Sequence, residues 1–257
     1  MFLLFKGKSG FSILSILAMF SFSAQAQLVN IEKVRKDKKE GFQGAVGVTL
    51  SLTQNTKQIF QVNNQIHVQY HQNAHTVLAI NNIGYMRVEG DNLINNGFQH
   101  LRYNYELIPD LLTLEALTQH QYNSIRLLKR RFLLGSGPRF KVFENENFRL
   151  FLAPLAIYEN ELFSDEDETR TNKFKGNFYL SGGIDLNEQL NFSHTTYYQP
   201  DFAALKEFRL ASETSLGIKI SDNFSFEAVF DLAYDSHPLE DIPKLFYTLR
   251  NGITYSF

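Results

Sequence analysis

Hydrophobic and polar residues alternate along this chain in one block after another. Val46, Val48, Leu50 and Leu52 fall on one side of an extended segment. In "QIFQVNNQIHVQY", Phe60, Val62, Ile66, Val68 and Tyr70 share one side, and Gln61, Asn63, Gln65, His67 and Gln69 the other. Successive side chains of a strand point to opposite faces, so a period of two predicts β-strands with one apolar face. The pattern continues through "TVLAINNIGYMRV", whose facing is ambiguous, and "FQHLRYNYEL", which sets Leu101, Tyr103 and Tyr105 against His100, Arg102, Asn104 and Glu106. It continues through "LLTLEALTQHQYN", "FLLGSGPRFKVF", "FRLFLAPLAIYEN" (apolar on both faces), "FYLSGGIDL", "LNFSHTTYYQ", "FRLASETSLGIKI", "FSFEAVFDLAY" and "LFYTLRNGITYSF". Together these blocks predict twelve strands.

The connections carry a second pattern. "QNAH", "IPD", "ENEN", "NEQ" and "SDN" are tight, whereas "EGDNLIN", "SIRLLKR", "ELFSDEDETRTNKF", "PDFAALKE" and "DSHPLEDIPK" are longer; "QNTK" is the one short connection on the long side. An even number of strands, mostly near the ~9–11 residues a tilted membrane strand needs, with short turns at one end and long loops at the other, is the pattern of an antiparallel transmembrane β-barrel. With the N-terminus inside, the short turns fall in the periplasm. The chain closes on Arg250-Asn251-Gly252-Ile253-Thr254-Tyr255-Ser256-Phe257 and alternates to its last residue, where a frayed polar end is usual. A last strand that pairs with the first, leaving no edge in lipid, accounts for this. Gly252, Tyr255 and Phe257 have the spacing of a barrel-closure and assembly signal read by the outer-membrane barrel assembly machinery.

Composition changes the picture at the start. Residues 1–26 carry Lys6 and Lys8, the apolar run "FSILSILAMFSF" and the small-residue site Ala24-Gln25-Ala26. These are the parts of a secretory signal peptide, cut before Gln27; the apolar run falls short of the ~20 residues of a spanning helix. Residues 27–40 are dense in charge and are expected to form a flexible periplasmic lead-in, leaving 41–257 as the barrel. The chain has no cysteine, which excludes a disulfide framework and a lipid anchor on cysteine. Its net charge of -2 implies no general attraction for nucleic acid.

The same alternation sorts the remaining chemistry. Phe140, Val142, Leu150, Leu152, Phe178, Leu180, Leu216, Ile218, Phe226 and Phe230 fall on the expected lipid side. Arg102, Arg139, Lys141, Arg149, Arg209, Lys219 and Arg250 fall on the lumen side, against Glu106, Glu115, Glu159, Asp185, Glu213, Glu227 and Asp231. Enclosed charges need water or opposite partners. Two interiors are compatible with that balance: a cross-linked, partly plugged lumen, and a water-filled lumen lined with solvated charge.

His67, His71 and His75 recur every four residues, but on a strand such neighbours lie ~13 Å apart, too far to share an ion; they are expected to be lumen-facing histidines. Neither His120 with Ser124 nor Ser193 with His194 can make a nucleophile–base bond within its own strand. A cross-strand hydroxyl beside His120 keeps an outer-leaflet lipid hydrolase as the alternative function. "DEDE" (Asp165 to Glu168) offers oxygen ligands to a divalent cation but lacks a patterned loop, and a solvated loop is expected. Arg126, Lys129, Arg130 and Arg131 lie near the predicted outer rim, where lipopolysaccharide phosphates would be held. There is no phosphate loop, zinc motif or nucleic-acid module, and no cofactor is expected.

The stretch "LLTLEALTQHQYNSIRLLKRRFLLGSGPRFKVFENENFRLFLAPLAIYENE" has a Gln-Tyr-Asn strand end, an Arg-rich turn and the run Gly135-Ser136-Gly137-Pro138-Arg139-Phe140. In these features it resembles the family catalogued as domain of unknown function 481, which includes salt-induced outer-membrane proteins. The likeness covers the barrel loosely and this stretch more closely. It implies an envelope β-barrel linked to osmotic stress and brings no catalytic residues; the acidic "DEDE" loop departs from it. The expectation is a monomeric, non-enzymatic outer-membrane barrel in contact with lipid and lipopolysaccharide, either structural or a narrow passive conduit for small solutes.

Overall fold

The computed structural model describes residues 40–54, 57–187, 189–240 and 242–255. The expected signal peptide, residues 27–39 of the charged lead-in, and Phe257 of the expected closure signal lie outside them. The described residues form twelve strands: β1 (Gly41–Gln54), β2 (Gln58–Gln72), β3 (His75–Val88), β4 (Asp91–Ile108), β5 (Leu112–Asn123), β6 (Leu128–Glu144), β7 (Phe148–Phe163), β8 (Arg170–Asn187), β9 (Leu190–Pro200), β10 (Phe208–Lys219), β11 (Phe224–Asp235) and β12 (Leu245–Tyr255). One 3-10 turn, Ser124–Arg126, separates β5 from β6. The strands make a single sheet in chain order, each antiparallel to its sequence neighbours, as expected when short connections leave a strand nearest the one it has just left. Among the described residues β1 pairs only with β2, and β12 only with β11.

Two loop expectations fail: "SIRLLKR" shrinks to residues 124–127 because β6 starts at Leu128, and "EGDNLIN" shrinks to a two-residue turn. β3 and β4 run on to Val88 and Asp91 and turn through Glu89 and Gly90, whose φ angles of 51° and 100° suit a two-residue hairpin. The predicted long "EGDNLIN" loop is therefore mostly strand. The long connections concentrate later in the chain, at 164–169, 201–207 and 236–244, all at one end of the sheet.

Register keeps the two faces in phase across strands. Leu78 pairs with Arg102, Arg102 with Leu117, Leu117 with Gly135, Gly135 with Ile157, and Ile157 with Lys175. All of these face inward. The ambiguous third strand is resolved by Leu78 and Ile80, which bury against Phe98. The sheet curls: Tyr179 of β8 donates to Glu115 of β5 at 2.7 Å, and Arg209 of β10 donates to Glu159 of β7 at 3.0 Å, each spanning three strands.

Leu117, Leu133, Ala153, Leu155, Ile157, Tyr179, Tyr197 and Ala211 pack into one buried cluster on the inner face. The glycines of the Gly-Ser-Gly run make room for it. A Cβ on Gly135 would sit 2.5 Å from the Ile157 Cγ2, and one on Gly137 2.5 Å from the Pro154 carbonyl oxygen, so β6 and β7 approach as closely as they do only because these positions have no side chain. The outer face is the reverse. Leu101, Leu134, Leu152, Phe174, Leu180 and Leu249 are exposed there.

Candidate functional site

Inward-facing charges gather in layers. Toward the long-loop end, Glu159 and Glu161 stand two apart on β7 and so share the inner face. Arg131 of β6 donates from Nε to Glu159 at 2.7 Å and lies 3.3 Å from Glu161. Lys175 of β8 reaches Glu159 at 2.5 Å. Arg209 of β10 contacts Glu159 at 3.0 Å, Glu161 at 2.9 Å and Asp235 of β11 at 2.6 Å. Three cations and three carboxylates thus brace five strands, and Glu159 is 0% exposed. Guanidinium–carboxylate pairs of this kind are directional, and each charge is tolerable there only because the others are present. Lys173, nearer the rim, is held between Asp201 at 3.1 Å and Glu207 at 2.5 Å.

Toward the short-turn end lies a second group. Glu115 of β5 accepts from Arg102 at 3.0 Å and from the Tyr179 hydroxyl at 2.7 Å. Arg139 lies 3.9 Å from the same carboxylate and stacks 3.6 Å over the Phe151 ring. Along β7 the inner residues run Phe151, Ala153, Leu155, Ile157, Glu159, Glu161, so the apolar cluster separates the two charged groups. Two cavities flank that apolar layer. One of 370 Å³ opens among His71, Asn104, Glu106, Arg139, Lys141 and Arg149 at the turn end. The other, of 160 Å³, lies among Arg126, Arg131, Lys175, Arg209, Asp235 and Phe246 at the loop end.

The strand register puts all the predicted lumen charges on the inner face, but in separate groups. Arg102, Glu115 and Arg139 meet as described. Lys141 pairs with Asp110 at 2.8 Å and with Glu144, and Glu106 accepts the Asp110 backbone N–H at 3.0 Å. Arg149 and Asp185 pair at 3.8 Å, half exposed at the turn end. Arg250 pairs with Asp231 at 2.6 Å, Glu213 lies directly across from Asp231, and Glu227 accepts from Ser215 at 3.3 Å. Of the predicted set, Glu159 and Arg209 enter the loop-end group. Glu161, Lys175 and Asp235 escaped sequence reasoning because β7 runs on to Phe163, β8 starts back at Arg170 and β11 runs on to Asp235, all through residues expected to be loop. The Lys173-Lys175-Asn177 alternation was the available signal.

The expected rim cations divide. Lys129 pairs with Glu168 at 2.7 Å and Arg130 donates to Asn160 at 2.9 Å, both outward. Arg131 is instead 2% exposed on the inner face, in phase with Leu133, and Arg126 points into the loop-end cavity. In the "DEDE" loop, Asp165 accepts the Thr169 N–H at 2.8 Å and its hydroxyl, which hold the carboxyl below its ordinary range. Lys129 does the same for Glu168. Among the described residues no group of acids, histidines or cysteines is arranged to hold a metal.

His75 is corrected to the outer face, where it meets the Tyr103 hydroxyl at 2.7 Å; His71 stays inside, 2.9 Å from the Thr76 hydroxyl. His120 is also on the outer face, with Nδ1 2.8 Å from the Gln99 amide oxygen rather than from a hydroxyl. A Ser–His contact that the sequence pattern did not suggest, Ser236 with His237 at 3.0 Å, has its hydroxyl occupied by the Phe208 N–H and the Lys206 carbonyl.

A family model described as "Protein of unknown function, DUF481" matches residues 46–257. No curated protein matches the chain. Among solved structures, one titled "NanC porin structure in rhombohedral crystal form" is similar with a TM-score of 0.48 at 9% identity, over 81% of this chain and 100% of that one. Another, "Bacterial polysaccharide outer membrane secretin", is similar with a TM-score of 0.45 at 7% identity, over 84% of this chain and 91% of its own.

Proposed function

The chain belongs to the DUF481 family of proteins of unknown function, and we propose that it is an outer-membrane β-barrel with a structural, non-enzymatic role in the envelope. The observation that carries this is the inverted distribution of polarity. Arg102, Glu115 and Glu159 are 1%, 2% and 0% exposed, while Leu50, Phe174 and Leu249 are 70%, 65% and 61% exposed. In water each such apolar side chain forgoes ~1.5–3 kcal/mol of burial; in hydrocarbon it forgoes nothing.

A sheet in lipid cannot leave backbone groups unpaired, so the reading requires β12 to pair with β1. That closure would join Val46, Val48, Leu50 and Leu52 to Leu249 and Ile253 in one apolar belt. The short turns would then lie in the periplasm and the long loops outside, where Lys129 and Arg130 would meet lipopolysaccharide phosphates. The barrel assembly machinery would read Gly252 to Phe257, and the chain would be processed after Ala26. The apolar layer between the two cavities supports a wall that is closed at rest over an open conduit. Osmotic stress is the physiological setting that the family resemblance suggests.

Cell fractionation with heat-modifiable gel mobility tests the location, and planar bilayers test the closed wall. An outer-membrane protein whose unheated form migrates differently, with no steady conductance, is expected. A soluble periplasmic product without a mobility shift would overturn the membrane reading, and steady conductance would replace the structural role with a conduit.

A further inference from the structure

The loop-end cavity contains a cation that the charge network does not use. Arg126 ends the 3-10 turn between β5 and β6, held there by Asn123, whose side chain accepts the Arg126 backbone N–H at 3.1 Å. Its guanidinium lies 3.9 Å from the Phe246 ring of β12, on the far side of the mouth. Its Nε is enclosed without a hydrogen-bond partner, and among the described residues no carboxylate forms an ion pair with it. Arg131 and Arg209 repel it; Asp235, which attracts it, is already engaged by Arg209 at 2.6 Å. Burial and these two like charges pull the Arg126 guanidinium down to about 10. A half-buried cation that faces two like charges without a partner is costly, and groups so perturbed in a cleft concentrate at binding sites.

The rest of the cavity narrows the chemistry of what would compensate it. Opposite the charged floor, the wall is Leu128, Phe163, Leu239, Ile242, Pro243 and Phe246. The volume of 160 Å³ is close to the ~150 Å³ at which an apolar protein cavity accepts benzene. A guanidinium stacked on a ring presents its N–H edge to a planar two-oxygen acceptor. We propose that the cavity binds a small organic anion, a carboxylate on an apolar body, with Arg126 as its counter-ion and Phe246 as the platform for both. Inorganic phosphate leaves the apolar wall unused and sets a second charge against Glu161 and Asp235, so it is the weaker ligand. This site needs only the loop-end geometry and stands whether or not the wall conducts.

The experiment is calorimetric titration of the purified protein in detergent micelles with benzoate, its neutral isostere benzamide, and inorganic phosphate. Saturable benzoate binding is expected, with benzamide and phosphate at least about tenfold weaker, in keeping with the weight of charged hydrogen bonds. Arg126→Gln should lose benzoate by about tenfold or more, with Arg126→Lys in between, while both variants keep the wild-type heat-modifiable mobility. Phe246→Ala should weaken benzoate and leave the mobility unchanged. Absence of saturable benzoate binding, equal affinity for benzamide, or an Arg126→Gln protein that binds as the wild type does would each overturn the proposal. The benzoate–benzamide comparison is made on unaltered protein and decides the matter even if a variant fails to fold.

Discussion

Replacing Glu159 by Gln keeps the shape of the side chain and removes the charge on which the loop-end group converges. Its partners differ in what they retain. Arg131 keeps Glu161 at 3.3 Å, and Arg209 keeps Glu161 at 2.9 Å and Asp235 at 2.6 Å. Lys175, 4% exposed, has Glu159 as its one ion-pair partner among the described residues, at 2.5 Å. Glu159→Gln therefore leaves an ammonium unpaired beside two guanidiniums, and a broken buried pair of this kind costs ~3–5 kcal/mol. Lys175→Met removes the repelled cation and leaves Glu159 with both arginines, so it should cost under ~2 kcal/mol. The double variant should be more stable than the sum of the singles by ~1–3 kcal/mol. Urea unfolding in phospholipid vesicles measures this, read by heat-modifiable mobility and by tyrosine fluorescence, since the chain has no tryptophan. Domains of ordinary stability, ~5–15 kcal/mol, remain folded under such a loss. A Glu159→Gln protein within ~1 kcal/mol of wild type, or a cycle additive within ~0.5 kcal/mol, would refute the reasoning.

Four further outcomes are expected. Deleting Gly252–Phe257 removes the partners of Phe224–Glu227 and the proposed pairing to β1, each lost backbone pair costing several kcal/mol in lipid; immunoblots of outer-membrane fractions should show the truncated chain degraded after export and Phe257→Ala mildly depleted. Gly137→Ala places a Cβ 2.5 Å from the Pro154 carbonyl oxygen and should cost ~1–3 kcal/mol in the urea assay, while Ser136→Ala on the outer face is neutral. Replacing Leu133 and Ile157 together by Ser wets the apolar layer and, on the proposed barrel reading, should turn a silent protein into a conducting one in planar bilayers. Because Thr169 holds the Asp165 carboxyl below its ordinary range, the contact is present above the ordinary pKa and lost as pH falls through the lowered one; the Thr169 amide resonance should titrate with a midpoint below that of an exposed aspartate, and a midpoint at or above it would contradict the contact.

Much of the architecture was legible in the sequence by itself. An extended chain sends alternate side chains to opposite faces whatever surrounds it, so parity along one strand sufficed to place Arg102, Glu115, Arg139, Arg209 and Arg250 inside and Leu152, Phe178 and Leu180 outside. The number of strands followed from the same local property, and the Gly135-Ser136-Gly137 run pointed to the family. Tertiary structure decided the rest. Whether "EGDNLIN" is loop or strand depends on pairing with the neighbouring strand, which extended β3 and β4 to a two-residue turn; in the same way β7 and β8 drew Glu161 and Lys175 into the interior. Which charge meets which depends on how tightly the whole sheet curls. Glu159 finds Arg209 three strands away, and Arg126 finds Phe246 across the mouth, at distances set by the register of every strand between them. Alternation is a property of each residue and its two neighbours, whereas curvature is a property of twelve strands together, and only the first is written in a short stretch of chain.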